Sequence, residues 1–168
     1  MDAQDDEHDA EKSVNAYNKL VDDGMQVLIG TTTSTPATAV AAEADANRTF
    51  LLTPSGSSPD VTAGHDNVFQ LCFSDPNQGI ASAEYMAANF ADAKVCVIYK
   101  NDDNYSTGIY NKFNAEWEAQ GKKVVAAETF TDGVTDFSAQ LNSLKNAGAD
   151  LVFLPIYYDA ASNILTNR

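Results

Sequence analysis

Hydroxyl residues from Thr31 to Thr35 follow the apolar run Val27-Leu28-Ile29 and a lone glycine, Gly30, and lead into Pro36 and an alanine-rich segment. That order predicts a buried strand, a tight turn and a helix start, because proline tolerates the first helical turn, where its missing N–H has no partner to lose. The backbone N–H groups of such a turn, together with the positive end of the helix dipole, favour an anion. The hydroxyls of Thr32, Thr33 and Ser34 add neutral donors, and no lysine or arginine lies between Val27 and Pro36. A phosphate would lack its usual countercharge there, so a carboxylate suits the turn better. A turn that merely caps a helix has the same appearance.

Three further stretches carry comparable chemistry. Pro54-Ser55-Gly56-Ser57-Ser58-Pro59 offers more hydroxyls and a glycine that lets a ligand approach backbone; Asn101 to Tyr105 is polar and ends on tyrosine; Tyr157-Tyr158-Asp159 brings two more rings. Neutral donors on one side and tyrosines on the other suit a small zwitterion with an apolar side chain, since tyrosine offers a ring for packing and a hydroxyl for pairing. Enzyme patterns are weaker. Gly56-Ser57-Ser58-Pro59 is not a nucleophile elbow, neither His8 nor His65 has an evident nucleophile beside it, and the phosphate-loop lysine is missing. Asp102-Asp103 lacks the alternating oxygen ligands of a calcium loop and reads as a solvated turn. No catalytic residue, metal ligand or cofactor is expected.

The chain has 168 residues and a formal net charge of −14, with 44% hydrophobic residues. It is long enough for one domain or two small lobes with a buried core. The acidic balance argues against nucleic acid, whose phosphates need a basic footprint, and against anionic membrane surfaces. No stretch has the length of a membrane span and the first eleven residues are not a signal peptide. Cys72 and Cys96 sit in apolar runs with no metal or redox spacing and read as small core residues; the two histidines read as solvated.

The elements that position these stretches alternate. Helices are predicted over 9–23, 35–46, 78–91, 106–120 and 135–146, with a last one after Asp159. Strands are predicted over 26–29, 49–53, 68–73, 94–99, 123–130 and 150–155. Residues 74–77 read as a break, and Ile80, Ala83, Ala87 and Phe90 as the inward face of the helix that follows. Gly24, Gly121 and Gly148 each stand just after a helix, with an apolar strand two or three residues on; a left-handed glycine there turns the chain straight back to the sheet. The expectation is an α/β chain of parallel strands flanked by helices, with ligand-binding loops at strand carboxyl ends after Ile29, Thr53, Tyr99 and Pro155.

The ordered set Asp22-Asp23-Gly24, Val27 to Ser34, Leu52 to Pro59, Asp75-Pro76-Asn77-Gln78-Gly79, Val97-Ile98-Tyr99, Asn104 to Gly108 and Thr135-Asp136-Phe137 resembles the branched-chain amino-acid-binding family, type I periplasmic-type solute-binding proteins of ABC importers. The resemblance implies two partial Rossmann-like lobes, 1–76 and 77–168, each with a parallel sheet flanked by helices. It implies a non-enzymatic, extracytoplasmic protein, periplasmic or a cell-surface lipoprotein, that binds a small leucine-, isoleucine- or valine-like amino acid and docks on the importer's membrane subunits. By that likeness Ser34 binds the ligand carboxylate, Ser55 offers a carbonyl to the ammonium, and Ser57 gives an N–H and a hydroxyl to the carboxylate. Tyr105 and Tyr157 close from the second lobe. Thr33 stands where some members have a disulfide cysteine. The resemblance covers roughly the middle half of the family pattern, without the acidic partner of the ammonium and without the opening strands. An unpaired edge at 26–29, and self-association through it, are therefore expected. The alternative is a doubly wound α/β enzyme or sensor domain that uses the Gly30 turn to hold an anionic ligand.

Overall fold

The computed structural model describes residues 1–166. The chain divides into two compact units, Met1–Ser74 and Asp75–Arg168. The first runs α1 (Ala10–Asp22), β1 (Val27–Ile29), α2 (Ser34–Ala46), β2 (Phe50–Thr53), a 3-10 turn (Pro59–Val61) and β3 (Val68–Gln70). The second runs α3 (Asp75–Asn89), β4 (Val95–Lys100), α4 (Asn104–Ala119), β5 (Ala126–Phe130), α5 (Ser138–Asn146), β6 (Leu151–Phe153) and α6 (Tyr158–Thr166). Each unit holds a three-stranded, all-parallel sheet, in the order β1-β2-β3 and β5-β4-β6.

In the first unit one sheet face is covered and the other is not. Leu51 and Val68 pair in register and are buried with Tyr17, Ala37, Val40, Ala41 and Ala44 of the two helices. The small residues of α2 let it lie close on the sheet, and Tyr17 of α1 donates its hydroxyl to Thr49 Oγ1 at 2.9 Å, satisfying a polar group the core would otherwise strand. The second unit is covered on both faces. Val95 to Ile98 of the central strand are fully buried: Val95 and Val97 pack with Ala83, Phe113 and Trp117, and Cys96 and Ile98 with Phe130, Phe137, Leu144 and Ile164. A central parallel strand that is apolar on both faces requires this arrangement.

All three helix-exit glycines are left-handed, at φ +90°, +74° and +72° for Gly24, Gly121 and Gly148. The N–H after each glycine bonds back to the last helical turn, Met25 to Leu20, Lys122 to Trp117 and Ala149 to Leu144, which is the Schellman arrangement. A fourth exit uses a non-glycine: Arg48, at φ +56°, is followed by the same bond, from Thr49 N–H to the Ala44 carbonyl.

Several boundaries differ from expectation. α3 begins at Asp75, so residues 75–77 are its first turn and not a break, and Pro76 sits where its lack of an N–H costs nothing. The helix buries Gly79 and Ala83, while Phe90 lies beyond its end, 44% exposed, edge-on to Tyr85. α4 begins at Asn104, because Asp103 caps it by accepting the Ser106 N–H; Asp103 is therefore a buried cap, not a solvated turn residue. Asp159 lies within the first turn of α6 instead of capping it. Cys72 lies outside any strand, half-buried, with its thiol on the Gly56 carbonyl at 3.6 Å, whereas Cys96 is a buried core residue. The histidines are not simply solvated: His8 Nδ1 lies 2.7 Å from Thr33 Oγ1, and His65 lies 3.3 Å from Asp45.

Candidate functional site

In the first unit the loops after β1 and β2 are bound to each other by side-chain hydroxyls. Thr53, fully buried at the end of β2, donates to the Thr31 carbonyl at 2.7 Å and accepts the Gly56 N–H at 2.9 Å. Ser55 donates to the Thr32 carbonyl at 2.6 Å. Ser34, the first residue of α2 and 1% exposed, accepts the backbone N–H groups of Ser57 and Ser58 at 3.0 and 3.1 Å. A hydroxyl that accepts twice still has its own proton to donate. Ser34 and Ser57 are thus adjacent at the carboxyl end of the sheet, with Ser34 organising the loop that carries Ser57.

Glycine is required inside that loop. A Cβ on Gly56 would stand 2.9 Å from Thr53 Oγ1 and 3.1 Å from Ala37 Cβ. The Gly56 carbonyl receives Gln70 Nε2 and the Cys72 thiol, so the end of β3 and the residues just after it hold the loop. Thr33 is the N-cap residue of α2, with extended backbone and no side-chain cap bond; its hydroxyl faces His8, and its carbonyl accepts the Thr31 hydroxyl at 3.3 Å and the Ala37 N–H at 3.0 Å.

In the second unit Tyr105, in the first turn of α4, and Tyr157, just ahead of α6, stack with ring centroids 4.8 Å apart and planes at 18°. Ser106 holds them in register. Its oxygen accepts the Lys100 N–H at 2.8 Å and its hydroxyl donates to the Pro155 carbonyl at 2.6 Å, tying the loops after β4 and β6 to the start of α4. Burial pushes the Tyr105 phenol above its ordinary value; a bond from Gln78 opposes this, and the Asp75 and Asp103 carboxylates add to the rise. The phenol therefore stays a neutral donor. Lys100, the last residue of β4, is engaged by Asp132 at 2.9 Å.

Thr53 and Ser106 were not singled out in the sequence. A threonine closing a strand and a serine three residues after an aspartate are ordinary features, and neither signals a buried hydroxyl that bridges two loops. Among the described residues no group of three or more His, Cys, Asp or Glu is placed to hold a metal, and no helix is long and apolar enough to cross a membrane.

Comparison with known proteins finds solute-binding relatives. A Leu/Ile/Val-binding protein homolog of Brucella melitensis is 34% identical over 155 residues, 92% of this chain and 42% of the relative. The crystal structure of a branched-chain amino acid transporter substrate binding protein from Streptococcus pneumoniae, in complex with isoleucine, superposes with a TM-score of 0.86 at 29% identity, covering 96% of this chain and 46% of that one. A benzoate-bound solute binding protein of an ABC transporter from R. palustris matches equally well in fold, TM-score 0.86, at 22% identity. The chain spans less than half the length of these relatives, which are named as binding proteins and not as enzymes. The periplasmic binding protein family model matches residues 1–167, and the chain belongs to that family.

Proposed function

We propose that this chain supplies part of the solute-binding component of an ABC importer, extracytoplasmic in location, that takes a small aliphatic amino acid between lobes 1–76 and 77–168 and presents it to the importer's membrane subunits. The observation that carries this reading is the Ser34 hydroxyl, braced by the Ser57 and Ser58 N–H groups at the carboxyl end of a parallel sheet with no cation among its partners. The Ser34 and Ser57 hydroxyls take the carboxylate, the Ser57 N–H being already donated to Ser34 Oγ; the Ser55 carbonyl takes the ammonium, and Thr33 completes the first loop. Tyr105 and Tyr157 pack over the aliphatic side chain.

Hydrogen bonds to a charged group contribute roughly 1.5–3 kcal/mol each, and each buried CH₂ about 0.8 kcal/mol. A few of each, less the cost of association, are enough for a small amino acid. The likeness to Leu/Ile/Val-binding relatives supports an aliphatic ligand. Amide chemical-shift mapping with leucine, isoleucine and valine, carried to millimolar ligand, tests the reading on the 168-residue chain. Shifts confined to Gly56, Ser57, Ser58 and the starts of α2 and α4 are expected. Shifts that leave those amides still while others move would remove the site.

A further inference from the structure

Four residues in succession after Gly30 are held by side-chain bonds. The Thr31 carbonyl accepts from Thr53, the Thr32 carbonyl from Ser55, and Ser34 Oγ accepts the Ser57 and Ser58 N–H groups. These braces all come from β2 and the loop after it. Thr33 is held from elsewhere: its Oγ1 lies 2.7 Å from Nδ1 of His8, a half-buried residue two places ahead of α1. The turn that delivers His8 is strained. Glu7 and His8 are both left-handed, at φ +51° and +60°, a conformation that costs any residue with a Cβ. Asp5 and Asp6 hold it: their Oδ1 atoms accept the Glu7 and His8 N–H groups at 3.0 and 2.9 Å, and the Asp6 carbonyl accepts the Asp9 N–H at 2.9 Å. Lys12, in the first turn of α1, pairs with Glu7. Backbone strain of this kind persists only where surrounding bonds over-determine it, and it gathers at functional sites.

The effect on Thr33 shows at the start of α2. Thr33 is the N-cap residue, and a threonine there ordinarily turns its oxygen back over the first turn of its own helix to accept an N–H. Asp9 and Asp103, the N-caps of α1 and α4, do this, to the Lys12 and Ser106 N–H groups. Thr33 makes no such bond. With its hydroxyl on His8, it leaves the positive end of α2, next to Ser34, to an anion from outside. We infer that His8 is a positioning residue for the carboxylate site: by holding the Thr33 hydroxyl it keeps α2 from capping itself at the place where the ligand carboxylate binds. The inference rests on the proposed function and adds to that site a residue from ahead of α1.

Leucine titration of the 168-residue chain, followed by amide chemical shifts, tests this. His8→Ala is made in the wild-type chain and again beside Thr33→Val, where no hydroxyl is left to cap the helix. With Thr33 present, His8→Ala is expected to weaken leucine binding at least about fivefold, the factor to which a typical N-cap bond corresponds. Beside Thr33→Val it is expected to change nothing further, because residues that act through one another do not add. His8→Asn is expected to keep most of the affinity: asparagine tolerates the left-handed turn, and its side-chain nitrogen stands as far along the chain as the imidazole Nδ1. An equal loss from His8→Ala in both backgrounds overturns the inference, since a residue that only supports the fold would behave so. No loss in either background overturns it too, as does His8→Asn binding as weakly as His8→Ala. A wild type that binds no leucine overturns the proposed function and the part of His8 together, whereas the other failures leave that function standing.

Discussion

Ser34 and Ser106 do equivalent work in the two units. Each is 1% exposed, each sits in the first turn of a helix, and each oxygen accepts backbone N–H, Ser34 from the loop after β2 and Ser106 from the last residue of β4. Removing such an oxygen leaves buried donors unpaired, which costs about 1–3 kcal/mol. Ser34→Ala is therefore expected to lower both amino-acid affinity and the stability of the first unit, whereas Ser57→Ala, whose backbone N–H remains, lowers affinity alone. Calorimetry paired with urea denaturation separates the two, and equal stability losses would count against the bracing role. Tyr105 gives a pH signature. Its phenol is held above the ordinary tyrosine value, mainly by burial, so around pH 10 the folded state keeps a proton that the unfolded state releases. Stability is then full below pH 10 and falls as pH rises through the folded value. An alkaline melt should show this decline reduced in Tyr105→Phe; an unchanged decline would assign it to another group.

At the scale of elements, α3 and α4 approach closely at Gly79. A Cβ there would stand 2.5 Å from the Ile109 carbonyl oxygen and 2.8 Å from the Phe113 nitrogen, both backbone atoms that cannot swing aside. Gly79→Ala should destabilise the second unit by about 1–3 kcal/mol, as overpacking does, read as a lower urea midpoint at constant slope. Arg48→Gly should do the reverse in the first unit. The residue occupies a left-handed helix exit and its ion pairs with Asp45 and Asp66 are solvent-exposed, so relief of backbone strain outweighs their loss and Tm rises by about 1–3 °C. The three glycine exits were legible from spacing alone, because a left-handed residue between helix and strand has few substitutes. The starts of α3 and α4 were not. Pro76 looks like a breaker until its place in the first turn is known, and Asp103 looks like a solvated acid until its carboxylate is seen on the Ser106 N–H. The loops that carry Ser34, Ser57, Tyr105 and Tyr157 stood out because strand carboxyl ends are predictable from the alternation, whereas the four residues within them were singled out by the resemblance. Thr53 stayed hidden because its role depends on a carbonyl twenty-two residues away.

At the scale of the whole molecule, the two units differ in completeness. The second has apolar clusters on both faces of its sheet, the first on one. Residues 75–168 alone are expected to melt cooperatively with a dispersed amide spectrum, and residues 1–74 alone to be less stable or associated. A well-dispersed, monomeric 1–74 paired with an unfolded 75–168 would reverse that order. The cation-poor hydroxyl loops have a further consequence in the kinetics of encounter. A net charge of −14 surrounds the protein with a field that slows the approach of anions and leaves overall-neutral molecules unaffected. For the proposed site, a zwitterionic amino acid then arrives at a rate indifferent to ionic strength. A simple monocarboxylate of the same shape arrives more slowly at low salt and catches up as salt is added, so the surface sorts candidate solutes before any hydroxyl touches them.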